Sequence, residues 1–234
     1  MSGAASPQPQ GVSCIIPAYN EAARIGGVLA AVAGHPEIAE VIVVDDASQD
    51  GTAEAAAAAP GVRLIRLPQN RGKTFALAEG IEAAAQPLLL LLDADLLGLT
   101  AAAISALIAP VRDGRAEVSI SLRQNAPRLW QMIGLDYISG ERVLPRAQLA
   151  GRTDALRGLP RFGFEVHLNT IWIGAGSPLA VVRWDGVQSP YKGAKMGVWP
   201  GMRADAAMLG DIMRTISPLD ALAQIRALRR LRLS

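Results

Sequence analysis

A single cysteine, Cys14, in a chain of 234 residues excludes an intramolecular disulfide. It sits in the apolar run SCIIP and reads as a buried free thiol, compatible with a reducing cytosol. Charge of one sign is also missing. The 23 Lys and Arg against 21 Asp and Glu leave a formal +2, which gives no global push toward nucleic acid. No membrane-length apolar run is present. Asp93 and Asp95 interrupt the leucines at 88–92, and the uncharged stretch 96–111 holds only 16 residues and ends beside a proline. The opening MSGAASPQPQG has neither a basic nor an apolar region, so residues 1–11 read as a short disordered lead rather than a secretory signal. There is no solenoid repeat and no heptad pattern. No GxGxxG follows the first apolar run, and the Gly72-Lys73 step lacks the upstream glycine of a Walker loop.

What is present is a core and an alternation. Half of the residues are hydrophobic, enough for one domain over 12–234. SCIIP (13–17) reads as a strand, 21–34 as a helix with Asn20 as N-cap and Gly34 as stop, and EVIVVDD (40–46) as a strand buried on both faces. A helix at 51–59, a half-exposed strand at 62–67, a helix at 74–85, a strand at 87–93, a helix at 100–111 and a strand at 116–122 follow. This spacing predicts an α/β fold: a mostly parallel central sheet with helices on both faces. The second half is less regular. Residues 134–151 have loop and short-helix character, 162–176 a helix, 178–184 a strand, 186–202 a Gly/Pro-rich loop, and 204–216 and 219–233 helices.

Ligands of such sheets bind beyond the carboxyl ends of the strands. Tyr19-Asn20-Glu21, Asp45-Asp46 and Asp93/Asp95 all follow apolar strands at that end. In LLLLLDADLL, alternate side chains share a face, so the two aspartates aim at one cleft. Their repulsion calls for a cation, and a hard ion such as Mg²⁺ or Mn²⁺ bridges carboxylates to phosphate oxygens. The competing explanation is a polar strand cap.

The ordered set PAYNE, VDDASQDGT, QNRGKTFALAEG and DADL resembles the inverting glycosyltransferases of family 2, over about residues 11–125. The resemblance implies the GT-A fold, with a nucleotide-sugar-binding half at 12–125 and an acceptor-binding half at 126–234. It implies a metal-dependent enzyme moving a sugar from a UDP- or GDP-linked donor to an acceptor. Pro17, Ala18, Tyr19 and Glu21 match the first nucleotide-contacting loop, and Asp46 the residue that meets the base. Arg71, Gly72 and Lys73 form a basic loop suited to phosphates, or a solvated turn. By the resemblance, Asp93 with Ala94 falls at the ribose or the metal, and Asp95 is the main metal ligand. Leu97 stands where polyprenyl-phosphate sugar transferases often carry a glutamine, so any third ligand must come from elsewhere; His167 is a candidate, the alternative being a satisfied core histidine on an apolar helix.

ISGERVLPR and GFEVHLN resemble acceptor-side segments of enzymes that glycosylate polyprenyl phosphates and of glucosyl-phosphoglycerate synthases. Glu165 is expected to face the reacting centre as a catalytic carboxylate. Arg142 or Arg146 is expected to hold an anionic acceptor, and Asp136 and Glu141 are further base candidates or surface ion pairs. Lys192 and Lys195 sit in a loop suited to closing over a diphosphate. The helix QIRALRRLRLS is basic and amphipathic, and either packs on the domain or touches an anionic membrane. The expectation is a cytoplasmic protein, peripheral to the inner membrane face at most, with a lipid-linked or other anionic acceptor and no nucleic acid partner. The alternatives are a nucleotidyltransferase, whose glycine-rich signature is missing, and a non-catalytic nucleotide-sugar-binding protein.

Overall fold

A computed structural model describes residues 11–160, 162–190 and 216–233. Strand and helix alternate through the first half: β1 (Val12–Ala18), α1 (Ile25–Val32), β2 (Ile38–Asp45), α2 (Thr52–Ala57), β3 (Val62–Arg66), α3 (Lys73–Ala83), β4 (Leu88–Leu91) and α4 (Ala101–Arg112). Then come β5 (Val118–Arg123), α5 (Arg128–Ile133), β6 (Arg142–Pro145), a 3-10 turn (Arg146–Leu149), α6 (Thr153–Arg157), α7 (Gly163–Ala175), β7 (Leu179–Trp184) and α8 (Pro218–Leu231). The sheet order is β3-β2-β1-β4-β6-β5-β7. β6 alone runs antiparallel to its neighbours.

The leucine run is explained by burial on both faces. Leu89 and Leu91 pack with α3 and α7, through Leu77, Ile81, Leu168 and Trp172. Leu88 and Leu90 pack with α1 and α4, through Val28, Leu29, Ile104 and Leu107. A strand with helices on either side has no polar face to show, so its sequence loses period-two alternation. β3 lies at the edge and alternates instead, as VRLIR does. Helix α3 comes close to the sheet at Gly80, where a side chain would overlap Ile15. Thr100 caps α4 by accepting the Ala103 N–H at 3.2 Å.

Two local expectations fail for physical reasons. α1 starts at Ile25 rather than Glu21, and Arg24, not Asn20, stands at its N-cap. Asn20 is in the left-handed region (φ 55°), and its side-chain oxygen accepts the Gln49 N–H at 2.9 Å. β6 falls where loop and short helix were expected. Four residues, RVLP, are too short to show a period, and the strand begins with an arginine. The expected helix at 204–216 and most of the 186–202 loop lie outside the described residues.

Candidate active site

The parallel strands β2, β1 and β4 end side by side. Ala18 is in register with Asp45, and Leu92 N–H donates to Ile15 O at 3.1 Å, so residues 17–21, 45–48 and 93–95 share one rim. The loop after β1 is stitched to the loop after β2. Three successive amides, of Asn20, Glu21 and Ala22, donate to Ser48 Oγ (2.9 Å), Thr52 Oγ1 (2.8 Å) and Asp50 Oδ2 (3.1 Å). DASQDGT thus has a structural task, which is to fix the backbone that carries Glu21. Residues 21–24 form a turn, closed by the Arg24 and Ile25 N–H groups on Glu21 O at 2.9 Å each, and α1 runs on from it at Ile25.

The rim concentrates charge. Asp95 is pushed up from 3.8 to about 6, first by burial and then by the carboxylates of Asp93 and Glu21; Arg123 and Lys73 oppose the rise. Lys73 Nζ lies 2.7 Å from Asp93 Oδ1 and 3.4 Å from Glu165 Oε1. Burial works against its charge, but these two carboxylates outweigh that and hold the ammonium above the ordinary lysine range. Glu165 is in the first turn of α7 and is almost fully buried. Gly140 touches Asp93 from the other side: a Cβ there would sit 2.7 and 2.8 Å from its two oxygens.

The basic loop is held by Asp46. Both oxygens of this buried carboxylate accept backbone N–H groups at 2.7 Å, Oδ1 from Arg71 and Oδ2 from Gly72. Each oxygen retains a second lone pair for a ligand N–H. Gly72 has φ 90°, a conformation that favours glycine, and it stands at the N-terminus of α3. The Arg71 guanidinium lies 3.8 Å over the Phe75 ring.

Other residues singled out in the sequence fall in different places. Tyr19 is 45 % exposed on the rim. Ala18 and Ala94 turn their side chains into the α1/α4 core and Pro17 is buried, so these three offer backbone only. Arg142 is not exposed to an acceptor. It is fully buried, stacks over Trp172 and donates to Ser139 O (2.6 Å), Asn169 Oδ1 (2.8 Å) and Tyr137 O (3.2 Å). Three of its five N–H groups are thus spent in the core, and full burial leaves no face of the guanidinium open to an anion. Arg146 is exposed at the opposite end of the sheet, where its N–H meets Pro87 O at 2.8 Å.

His167 does not join the carboxylates either. It lies two residues from Glu165 on α7, which is about 200° around the helix. Burial and the Arg152 charge hold its imidazole below the usual range, and its buried Nε2 has no hydrogen-bond partner. Lys192 and Lys195 lie outside the described residues.

Four features go beyond the sequence reading. Asp136 and Glu141 are not surface ion pairs; they are buried around Arg123, at 3.5 and 3.3 Å. Arg123 ends β5, also bonds Ser189, and projects its charge onto Asp93 and Asp95. Its signal was readable, an arginine directly after an apolar strand at the ligand-binding end. Gly140 and the Ser48/Asp50/Thr52 stitching gave no such signal.

Among the described residues no three His, Cys, Asp or Glu side chains are grouped to close a metal site by themselves. Asp93 and Asp95 do offer hard oxygen donors, which suit Mg²⁺ or Mn²⁺ when the remaining positions go to water and substrate phosphate. The residues fit an ion shared with a diphosphate.

A mostly parallel sheet of this order, with an acidic rim and a basic loop opening a helix, is the GT-A fold of nucleotide-sugar transferases. Glucosyl-3-phosphoglycerate synthase from Mycobacterium tuberculosis, solved with Mn²⁺, uridine diphosphate and glucosyl-3-phosphoglycerate, superposes with a TM-score of 0.67 at 20 % identity, over 88 % of this chain and 80 % of that one. The chain belongs to glycosyl transferase family 2, whose model matches residues 13–142.

Succinoglycan biosynthesis protein ExoU of Rhizobium meliloti is 38 % identical over 91 residues, 37 % of this chain and 27 % of that protein. Undecaprenyl-phosphate 4-deoxy-4-formamido-L-arabinose transferase of Aeromonas hydrophila is 40 % identical over 94 residues, 36 % of this chain and 29 % of that protein. The match thus spans less than a third of either curated relative.

Proposed function

We propose that the protein transfers a sugar from a UDP- or GDP-linked donor to a polyprenyl phosphate or a small phosphorylated or hydroxyl acceptor, with inversion. The observation that carries this is the convergence of Glu21, Asp93, Asp95, Lys73 and Glu165 on one strand rim beside a loop clamped by Asp46. Asp46 and Tyr19 meet the base and ribose. The amides of the 71–73 loop, the N-terminus of α3 and Lys73 face the diphosphate. Asp93 and Asp95 hold Mg²⁺ or Mn²⁺, which when bound neutralises the departing diphosphate. Glu165 takes the proton of a hydroxyl acceptor; a phosphate acceptor is already ionised and needs no base.

The names of the relatives support a lipid-linked or phosphorylated acceptor. The outward face of α8 carries Leu219 and Leu222 with Arg226, Arg229 and Arg230, which supports peripheral contact with an anionic membrane from the cytoplasmic side. No helix among the described residues is long and apolar enough to cross a membrane.

The test is a thermal-shift panel of UDP-, GDP- and dTDP-sugars with and without Mn²⁺, followed by turnover with the preferred donor. A metal-dependent shift with one base and sugar release onto an acceptor are expected. No shift with any donor refutes the site, and a shift without turnover on any acceptor refutes the enzyme.

A further inference from the structure

Lys73 combines a fixed root with a movable end. Its backbone opens α3 directly after Arg71 and Gly72, whose amides are clamped by Asp46. Its side chain is 43 % exposed and reaches Asp93 at 2.7 Å and Glu165 at 3.4 Å. Asp93 is one of the carboxylates that raise Asp95, so the ammonium neutralises the pair a divalent ion would use. An ammonium at 2.7 Å and a divalent cation on the same aspartate repel each other at close range, so the two compete for these oxygens. A diphosphate gives the ammonium a new partner within reach of its four-carbon stem. Glu165, nearly buried and spared by the ion, keeps the amine in the site while it leaves Asp93.

We propose that Lys73 is the resident counter-cation of Asp93 and must yield it to a divalent ion, so that ion binding and diphosphate binding are coupled through this one side chain. The proposal rests on the reading of the rim as a metal and diphosphate site. Three consequences follow. A divalent ion alone binds weakly, because it displaces the lysine without compensation. A diphosphate strengthens ion binding twice, by ligating the ion and by accepting the lysine. Linkage makes the second contribution reciprocal.

The experiment titrates Mn²⁺ into the full chain and follows the loss of the free-ion EPR signal, with and without UDP or GDP. Wild type, Lys73→Met and Lys73→Arg are compared. Lys73→Met is expected to bind Mn²⁺ alone about fivefold more tightly, and the further tightening by diphosphate to shrink by the same factor. Lys73→Arg keeps the positive charge near Asp93 and stays close to wild type. Lys73→Gln repeats the charge removal should the methionine variant not fold. The proposal is overturned if Lys73→Met (or Gln) changes the affinity for Mn²⁺ alone by less than about twofold, or if Lys73→Arg behaves like Lys73→Met. Failure of the underlying reading looks different: wild type then binds neither Mn²⁺ nor the diphosphate.

Discussion

Replacing Asp95 by asparagine should stabilise the ligand-free protein while destroying its metal-dependent function. Burial and the charges of Asp93 and Glu21 raise this carboxyl from 3.8 to about 6. A raised carboxyl costs the folded state free energy once the group is ionised. A rise of that size corresponds to about 3 kcal/mol, and solvent screening in an open cleft reduces it to about 1 kcal/mol. Asparagine keeps the shape and removes the charge, so at pH 7.5 the variant should melt about 2–4 °C above wild type.

The sign of the pH dependence is fixed. The cost is fully present above about 6, shrinks as pH falls through that value, and is gone below 3.8, where the carboxyl is protonated folded or unfolded. The advantage of Asp95→Asn should therefore fade between pH 7.5 and pH 4. Calorimetric melts across that range check it, alongside melts with Mn²⁺ plus UDP or GDP, where wild type should gain stability and the variant should not. A variant that melts at or below wild type at pH 7.5, or whose advantage is the same at pH 4, would refute the electrostatic account of the rim.

Two further outcomes follow from the geometry. Gly140→Ala places a methyl group against both oxygens of Asp93; it should lose at least about tenfold in metal-dependent nucleotide affinity, measured by calorimetry, with a normal circular dichroism spectrum. Arg142→Ala leaves the partners of a buried guanidinium unsatisfied and should cost about 3 kcal/mol in urea unfolding. A well-folded Arg142→Ala protein whose only defect is a raised KM for acceptor would restore the anion-binding role.

The strand–helix alternation was legible because each parallel strand is clothed on both faces, which writes continuous apolar runs such as LLLLL and VIVV into the chain. The carboxylates at the strand tips were legible for a related reason. Polar residues directly after such runs can only emerge at the ligand-binding end of the sheet. Asp93, Asp95 and Asp46 were therefore visible as a group before their contacts were known, whereas the Arg71–Lys73 loop could be read equally as a phosphate site or a solvated turn.

What the residues do to one another was decided by tertiary structure. Arg142 and Arg123 lie near the same short segment, yet one fills the core under Trp172 and the other faces the acidic rim. Arg142 takes its place because β6 pairs with β4. That pairing joins residues about 50 apart in the chain, and no local pattern encodes it. His167 and Glu165 differ only by their angle around α7, and packing chooses which faces the lysine. Local sequence carries periodicity and strand ends because burial acts residue by residue; ion pairing depends on which distant segments the sheet order brings together.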